Sequence, residues 1–286
     1  MASIIDHIVA QVIEIIGPNG APLHTLSVVA TERVASELNL PLREIEIEAL
    51  ANGIVPLRYL RNQRAFSSAD QMRWLNARAA VVGLGGLGGG LVEVLSRAGV
   101  GTLVLIDGDK FEEHNLNRQW LSTQKTLGQL KTEAAAQRVA AINGAVQAEI
   151  RPTFLTAANA EELIQGCDID NDCLDDIPSR FTLEAAAKRL SIPMVSGAVA
   201  GMTGHVTTIY PQDEGLVLIF GPRHAIESPK GVEIALGCPP QTVATVAAVE
   251  SAEALKVLTG QPQQLLRNKL WVVDLTDCSV DILTLA

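Results

Sequence analysis

Aromatic side chains are few in this 286-residue chain: five Phe, three Trp and two Tyr. Packing therefore falls to Ala, Val, Leu, Ile and Gly, as in α/β proteins whose sheets are covered on both faces. Cysteine is sparse as well. Cys167, Cys173, Cys238 and Cys278 include no C-x-x-C pair, which argues against a structural zinc site of the usual spacing. Unpaired cysteines of this kind suit a reducing, cytoplasmic compartment. Basic residues are outnumbered, 22 Lys plus Arg against 32 Asp plus Glu, for a formal net charge of −10. Such a surface repels phosphate backbones, so no nucleic-acid partner is expected. Uninterrupted apolar runs are missing too. The opening MASIIDHIVAQVIEIIG carries no basic stretch before its apolar residues and is interrupted by Asp6 and Glu14. Neither a signal peptide nor a membrane span is expected.

What is present divides the chain in two. In residues 1–57, Ile4, Ile5, Ile8, Val12, Ile15 and Ile16 recur at helical spacing, and Gly17-Pro18-Asn19-Gly20 ends the run. Further helices are expected near Thr31–Leu38 and Pro41–Ala51. This small helical unit reads as a docking or dimerisation element. A DNA-reading helix-turn-helix would want a Lys/Arg cluster that it lacks. A basic connector, RYLRNQRAFSSADQMRW, leads into residues 58–286. There, short apolar runs alternate with helical patterns: AAVVGLG, LVEVLSRAG, TLVLID, Lys131–Asn143, Ala148–Pro152, Glu161–Gln165, Asp168–Cys173, Arg180–Leu190 and Pro193–Gly197. The alternation predicts a Rossmann-like, doubly wound parallel sheet. After Ala198, GHVTTIYP and KLWVVDLTDCSVDILTL read as strands flanking a helix over Val243–Leu258, so the second half is expected to be mixed or antiparallel.

Gly83-Leu84-Gly85-Gly86-Leu87-Gly88 is a G-x-G-x-x-G sequence between an apolar strand and a helix. Glycines allow a tight turn and close approach to phosphate, and the helix N-terminus offers unpaired N–H groups. Asp107, at the end of the next strand, lies where ribose hydroxyls would. The glycine pattern alone fits NAD as well as ATP. The following stretch favours ATP, because Asp109, Asn115, Arg118, Gln119 and Lys131 follow in quick succession. A triphosphate needs two such cations, and a dinucleotide does not.

This ordered set resembles the MoeB/ThiF/HesA family, relatives of the ubiquitin-activating enzymes. The matching pieces are GLGGLG, the D-x-D of Asp107 and Asp109, N-L-x-R-Q at 115–119, Lys131, and Asp172-Cys173-Leu174-Asp175-Asp176 followed by Arg180. RYLRN resembles the family's R-Y-x-R-Q segment, and GAVAGMTGHV and SAEALKVLTG resemble two further stretches. The likeness runs from Arg58 to the C-terminus. The departures are the missing cysteine pairs, Asp176 in place of Asn, Gly204-His205 in place of Gly-Gln, and the first 57 residues.

The resemblance implies ATP-dependent adenylation of the C-terminal glycine carboxylate of a small ubiquitin-like sulfur carrier ending in Gly-Gly, of the molybdopterin or thiamine type. It implies that Asp175 holds Mg²⁺, with Asp109 or Asp176 assisting, and that Arg118, Lys131 and Arg61 share the triphosphate. Arg61 would come from the partner of a homodimer. Gly83, Gly85, Gly86, Gly88, Asp107, Asp109, Asn115 and Gln119 would bind the nucleotide, without zinc. Cys238, in Leu236-Gly237-Cys238-Pro239-Pro240, is a possible acyl or sulfur acceptor. Cys173 reads as a buried strand end, Cys167 and Cys278 as structural. His205 is expected near the carrier tail, His114 and His224 at the surface. The N-terminal unit contributes no ligand and is expected to be dispensable for ATP binding. An NAD(P)-dependent oxidoreductase, an inactive nucleotide-binding scaffold and a tRNA-modifying relative remain alternatives.

Overall fold

Ser3 opens the chain's first helix, its hydroxyl and the Asp6 carboxylate forming a reciprocal cap. The structure, a computed structural model, describes residues 3–17, 20–225 and 233–285. The N-terminal unit comprises α1 (Ile4–Val9), β1 (Ile13–Ile16), β2 (Pro22–Leu26), α2 (Val28–Leu38), α3 (Leu42–Ala51) and β3 (Val55–Pro56). Its strands pair in the order β1-β2-β3. Ile8, Leu26, Val34, Ile45 and Ala49 form its core.

Helices make up most of the regular structure of this unit, as expected, with one correction. The first helix ends at Val9, and Ile13–Ile16 pairs antiparallel with Pro22–Thr25. A bond from Gly17 N–H to Ala21 O (2.8 Å) closes that hairpin. Apolar residues four apart satisfy a period of two as well as one of 3.6, and β-branched isoleucine favours the strand.

The unit is bonded into the rest of the chain. Glu46 on α3 is fully buried. Its Oε1 lies 3.1 Å from Arg58 Nε, an ion pair whose N–H is not aligned for a hydrogen bond. Its Oε2 accepts from Tyr59 Oη–H at 3.0 Å. Tyr59 Oη in turn accepts from Asn143 Nδ2 at 2.9 Å, and Arg58 also donates to Asn143 Oδ1. Burial pushes the Glu46 carboxyl up, and the Arg58 charge opposes that push. Arg43 donates to Gly101 O (2.9 Å) and Thr102 Oγ1 (3.0 Å).

A 3-10 turn (Leu57–Asn62) and α4 (Ser68–Asn76) precede the main sheet. There follow β4 (Arg78–Val82), α5 (Gly86–Ala98), β5 (Thr102–Ile106), α6 (Lys131–Ile142), β6 (Gln147–Arg151), α7 (Ala160–Ile164), β7 (Ile169–Asp172), α8 (Ile177–Leu190) and β8 (Met194–Ala200). The remaining elements are β9 (Thr203–Ile209), α9 (Val217–Phe220), α10 (Glu233–Leu236), α11 (Pro240–Thr259), β10 (Lys269–Asp274) and β11 (Ser279–Thr284). The strand order is β11-β10-β9-β8-β7-β4-β5-β6. The run from β6 to β8 is parallel, and β9, β10 and β11 are antiparallel. The parallel and antiparallel halves thus fall where the sequence places them. Leu91, Leu95, Val139 and Val246 of α5, α6 and α11 cover one face. Ile164, Leu183 and Ala187 of α7 and α8 cover the other.

Two acids sit inside this core. Asp170 on β7 and Glu250 on α11 are fully buried. Both Asp170 oxygens and Glu250 Oε2 lack a hydrogen-bond partner among the described residues, while Glu250 Oε1 accepts from Cys173 Sγ–H at 3.4 Å. Loss of water, with the neighbouring Asp172 charge, pushes both carboxyls well above their ordinary range.

Candidate active site

Chain order reverses at β4, with β5 on one side and β7 on the other. Open α/β sheets bind ligands at the carboxyl ends of strands beside such a reversal. A cavity of about 640 Å³ lies there, lined by residues that follow β4, β5, β6 and β7 and by the β8–β9 turn.

The glycine turn forms one wall. Gly83 has φ +90°, and a Cβ on it would lie 2.7 Å from Cys173 O, so a side chain is excluded by both conformation and space. Gly85 and Gly86 line the cavity. Gly85 is the N-cap of α5 and supplies no side-chain cap, so the first N–H groups of this helix are left for a ligand. Gly88 does not line the cavity. A Cβ there would lie 1.9 Å from Gly83 O, which makes its role the packing of α5 onto the turn.

Asp107 organises the loop above. Its Oδ2 accepts from Leu84 N–H and its Oδ1 from Asp109 N–H, both at 2.7 Å. Asp109, half-exposed beside it, pairs with Lys131 Nζ at 3.0 Å. Lys131 is only 6% exposed. It opens α6 and brings a buried ammonium to the cavity wall. Arg118 lines the cavity while donating to His114 O (3.0 Å) and Asn117 Oδ1 (2.9 Å). Gln119 lies buried beside Gly85, its amide oxygen without a hydrogen-bond partner among the described residues. Asn115 lies outside the lining set. Its Oδ1 accepts from Glu112 N–H at 2.9 Å and ties down the turn that carries Arg118.

Across the cavity, β7 ends in Asp172. Arg180 donates to Asp172 Oδ2 (2.8 Å), Gly197 O (2.9 Å) and Leu174 O, and is itself buried. This guanidinium braces the wall from which Asp175 projects, exposed, into the cavity. Asp176 acts differently. Its Oδ1 accepts from Ser179 N–H at 2.8 Å and caps α8. The bracing role of Arg180 is not apparent from sequence. The available signal is a lone arginine in the first turn of a helix, within reach of a strand-end acid.

His205, on β9, also lines the cavity. Its Nε2 is buried without a partner among the described residues, and its ring centre lies 6.0 Å from that of Phe220. Burial, with help from the Arg180 charge, pushes its pKa down to about 4, so the ring is neutral at pH 7. Cys238, in the loop between α10 and α11, faces the same space. Cys167 is buried, but Cys278 is exposed in the β10–β11 turn and is not a core residue. Cys173 is half-buried and lines the cavity. His114 and His224 are at the surface. Arg61 is exposed in the 3-10 turn and does not line the cavity of its own chain. Among the described residues, no three His, Cys, Asp or Glu side chains cluster to hold a metal, and no helix is long and apolar enough to cross a membrane.

Comparison with known proteins agrees with this geometry. The chain matches the ThiF family over residues 59–286. It is 34% identical over 210 residues to protein HesA of Nostoc sp., covering 73% of this chain and 81% of HesA. It is 32% identical over 197 residues to the SAMP-activating enzyme E1 of Haloferax volcanii, covering 68% and 72%. The crystal structure of E. coli MccB with ATP superposes with a TM-score of 0.65 at 20% identity, covering 80% of this chain and 71% of MccB. The chain belongs to the ThiF family of MoeB- and E1-like adenylyltransferases.

Proposed function

We propose that the chain uses ATP to adenylate the C-terminal glycine carboxylate of a small ubiquitin-like sulfur-carrier protein. The observation that carries this reading is the cavity itself. One wall offers the open N-terminus of α5 with Lys131 and Arg118, and the other offers the exposed carboxylate of Asp175. Cations and helix N–H groups suit a polyphosphate. The E1 relative named above is by name a SAMP-activating enzyme, and the solved MccB holds ATP.

In the reaction, a carboxylate oxygen of the carrier attacks the α-phosphorus of ATP. The bond from that phosphorus to the bridging oxygen breaks, and pyrophosphate leaves. Lys131 and Arg118 offset the charge that grows on the leaving oxygens. Asp109 is the more exposed acid of its pair and faces the ribose, while Asp107 holds the loop. An exposed carboxylate on the cavity wall fits Mg²⁺, which takes one or two protein carboxylates with phosphate oxygens. Asp175 would hold it, and the ion would supply further neutralisation of phosphate charge. Neutral His205 meets the carrier tail by hydrogen bonding. Cys238 would accept the acyl group as a thioester, with AMP leaving.

Pyrophosphate exchange into ATP is the direct test. Exchange that requires Mg²⁺ and a carrier ending in Gly-Gly is expected, with no binding of NAD by calorimetry. Micromolar NAD binding without ATP binding would overturn the reading.

Arg61 gives a second test, of assembly. Since it lies outside its own cavity, we assign it to the site of a partner subunit in a homodimer. Arg61→Ala and Asp175→Ala should each be nearly inactive alone. Mixed subunits should regain up to about half the wild-type activity per heterodimer, because one site then carries neither defect. No recovery despite demonstrated subunit exchange would remove Arg61 from the partner's site.

A further inference from the structure

The cavity has two aromatic side chains on its wall among the described residues, Phe154 and Phe220, in a chain that has only five phenylalanines. Phe220 stands against His205 at the β8–β9 end. Phe154 stands at the opposite end, just after β6, beside the Asp107–Asp109 loop. It is 62% exposed, which is unusual for a side chain of this size held so firmly.

The holding is specific. Asn159 Nδ2 donates to Phe154 O at 3.0 Å, and Asn159 Oδ1 accepts from Thr156 N–H at 2.7 Å. The backbone of the loop is thereby set before any ligand arrives. The ring rests on Gly108. A Cβ placed on Gly108 would lie 2.7, 2.7 and 2.8 Å from Cδ2, Cε2 and Cγ of Phe154. Three consecutive ring carbons at nearly equal distance mean that the ring turns a face, not an edge, toward this backbone. The opposite face is turned away from this backbone. Gly108 lacks the atom that would push the ring away.

We infer that Phe154 is the stacking platform for the nucleobase of the bound nucleotide. This rests on the adenylation reading above and adds to it the orientation of the nucleotide. Charges along the cavity give the direction. The glycine turn, Lys131 and Arg118 take the phosphates, and Asp109 lies next along the loop. Phe154 comes after it, between Thr153 and Leu155 on the cavity wall, and offers a flat apolar face. A purine presents a matching π-face, and stacking on an aromatic side chain is tolerant of which base is present. The phosphates thus run away from Phe154, and the acyl tail enters from the Phe220 and His205 end.

The test uses the full chain and two probes, ATP and inorganic tripolyphosphate, which has the charge and no base. Phe154→Ala should weaken ATP binding about tenfold and leave tripolyphosphate affinity unchanged. In pyrophosphate exchange the loss should fall on KM for ATP, with kcat near wild type. Phe154→Tyr should restore the affinity. Phe154→Trp should bind ATP and show fluorescence quenching with ATP but not with tripolyphosphate. Unchanged ATP binding in Phe154→Ala overturns the inference while leaving adenylation intact. So does an equal loss for both probes, which would mean a general disturbance of the loop. Failure of the wild-type protein to bind ATP at all overturns both.

Discussion

Asp175→Ala should yield a folded protein whose pyrophosphate exchange is slower by about 10²- to 10³-fold, the usual cost of removing one group aimed at transition-state charge. The fold should be indifferent because Asp175 is exposed at the cavity and caps nothing. The neighbouring Asp176 behaves oppositely. It caps α8 through Ser179 N–H, so Asp176→Ala should cost about 1 kcal/mol of stability with a smaller effect on rate. Circular dichroism, thermal melting and exchange assays on the two variants separate the roles. Near-native exchange in Asp175→Ala would mean that the working carboxylate lies elsewhere.

Glu46→Ala should be the most damaging substitution outside the site, at roughly 3 kcal/mol or more. It removes the acceptor of fully buried Tyr59 and the counter-charge of mostly buried Arg58. Glu46→Gln keeps an acceptor for Tyr59 and should lose less. Urea unfolding of both variants measures the difference, and a loss under about 1 kcal/mol in Glu46→Ala would show the network to be idle. The same contacts revise the expectation that the first fifty residues are dispensable. Their removal takes Glu46 and Arg43 and uncovers Tyr59 and Leu75, which pack with Leu50. Truncation at residue 50 should therefore give poorly soluble protein rather than a free-standing nucleotide domain. Arg58 and Tyr59 share the 3-10 turn of Arg61, which ties this network to the segment assigned to the partner's site.

Most of the main sheet was legible because its elements alternate strongly and end on glycine or an acid. The G-x-G-x-x-G turn follows β4, Asp107 follows β5 and Lys131 opens α6, but the ribose place read for Asp107 is not what its bonded oxygens favour. Ile13–Ile16 misled because isoleucines four apart are compatible with both periods, and only the pairing with Pro22–Thr25 decides. Glycine and acid patterns name residue types but not partners. Thus Gly88 and Asn115 belong to the motif yet serve packing and a turn, and Asp107 has both oxygens occupied by backbone N–H groups. Phe154 was not read as a site residue, and Arg180, though part of the matching stretch, was given no role, for the same reason. Each acquires its role from a residue distant in sequence, Asp172 and Ser196 for one and Gly108 for the other.

Asp170 and Glu250 give the native protein a charge different from the one its sequence counts. Burial and the neighbouring Asp172 charge favour their neutral forms, which makes the folded chain less negative than the formal −10 wherever these protons are held. Their folded pKa values are raised, so unfolding above about pH 4 releases protons. Their contribution to stability is therefore fullest at low pH and declines as pH rises toward the folded values. Isoelectric focusing makes the difference visible. Where the native fold holds these protons at the focusing pH, Asp170→Asn and Glu250→Gln exchange one neutral group for another and leave the native band in place. In urea each removes an ionised carboxylate and should shift the band to higher pH.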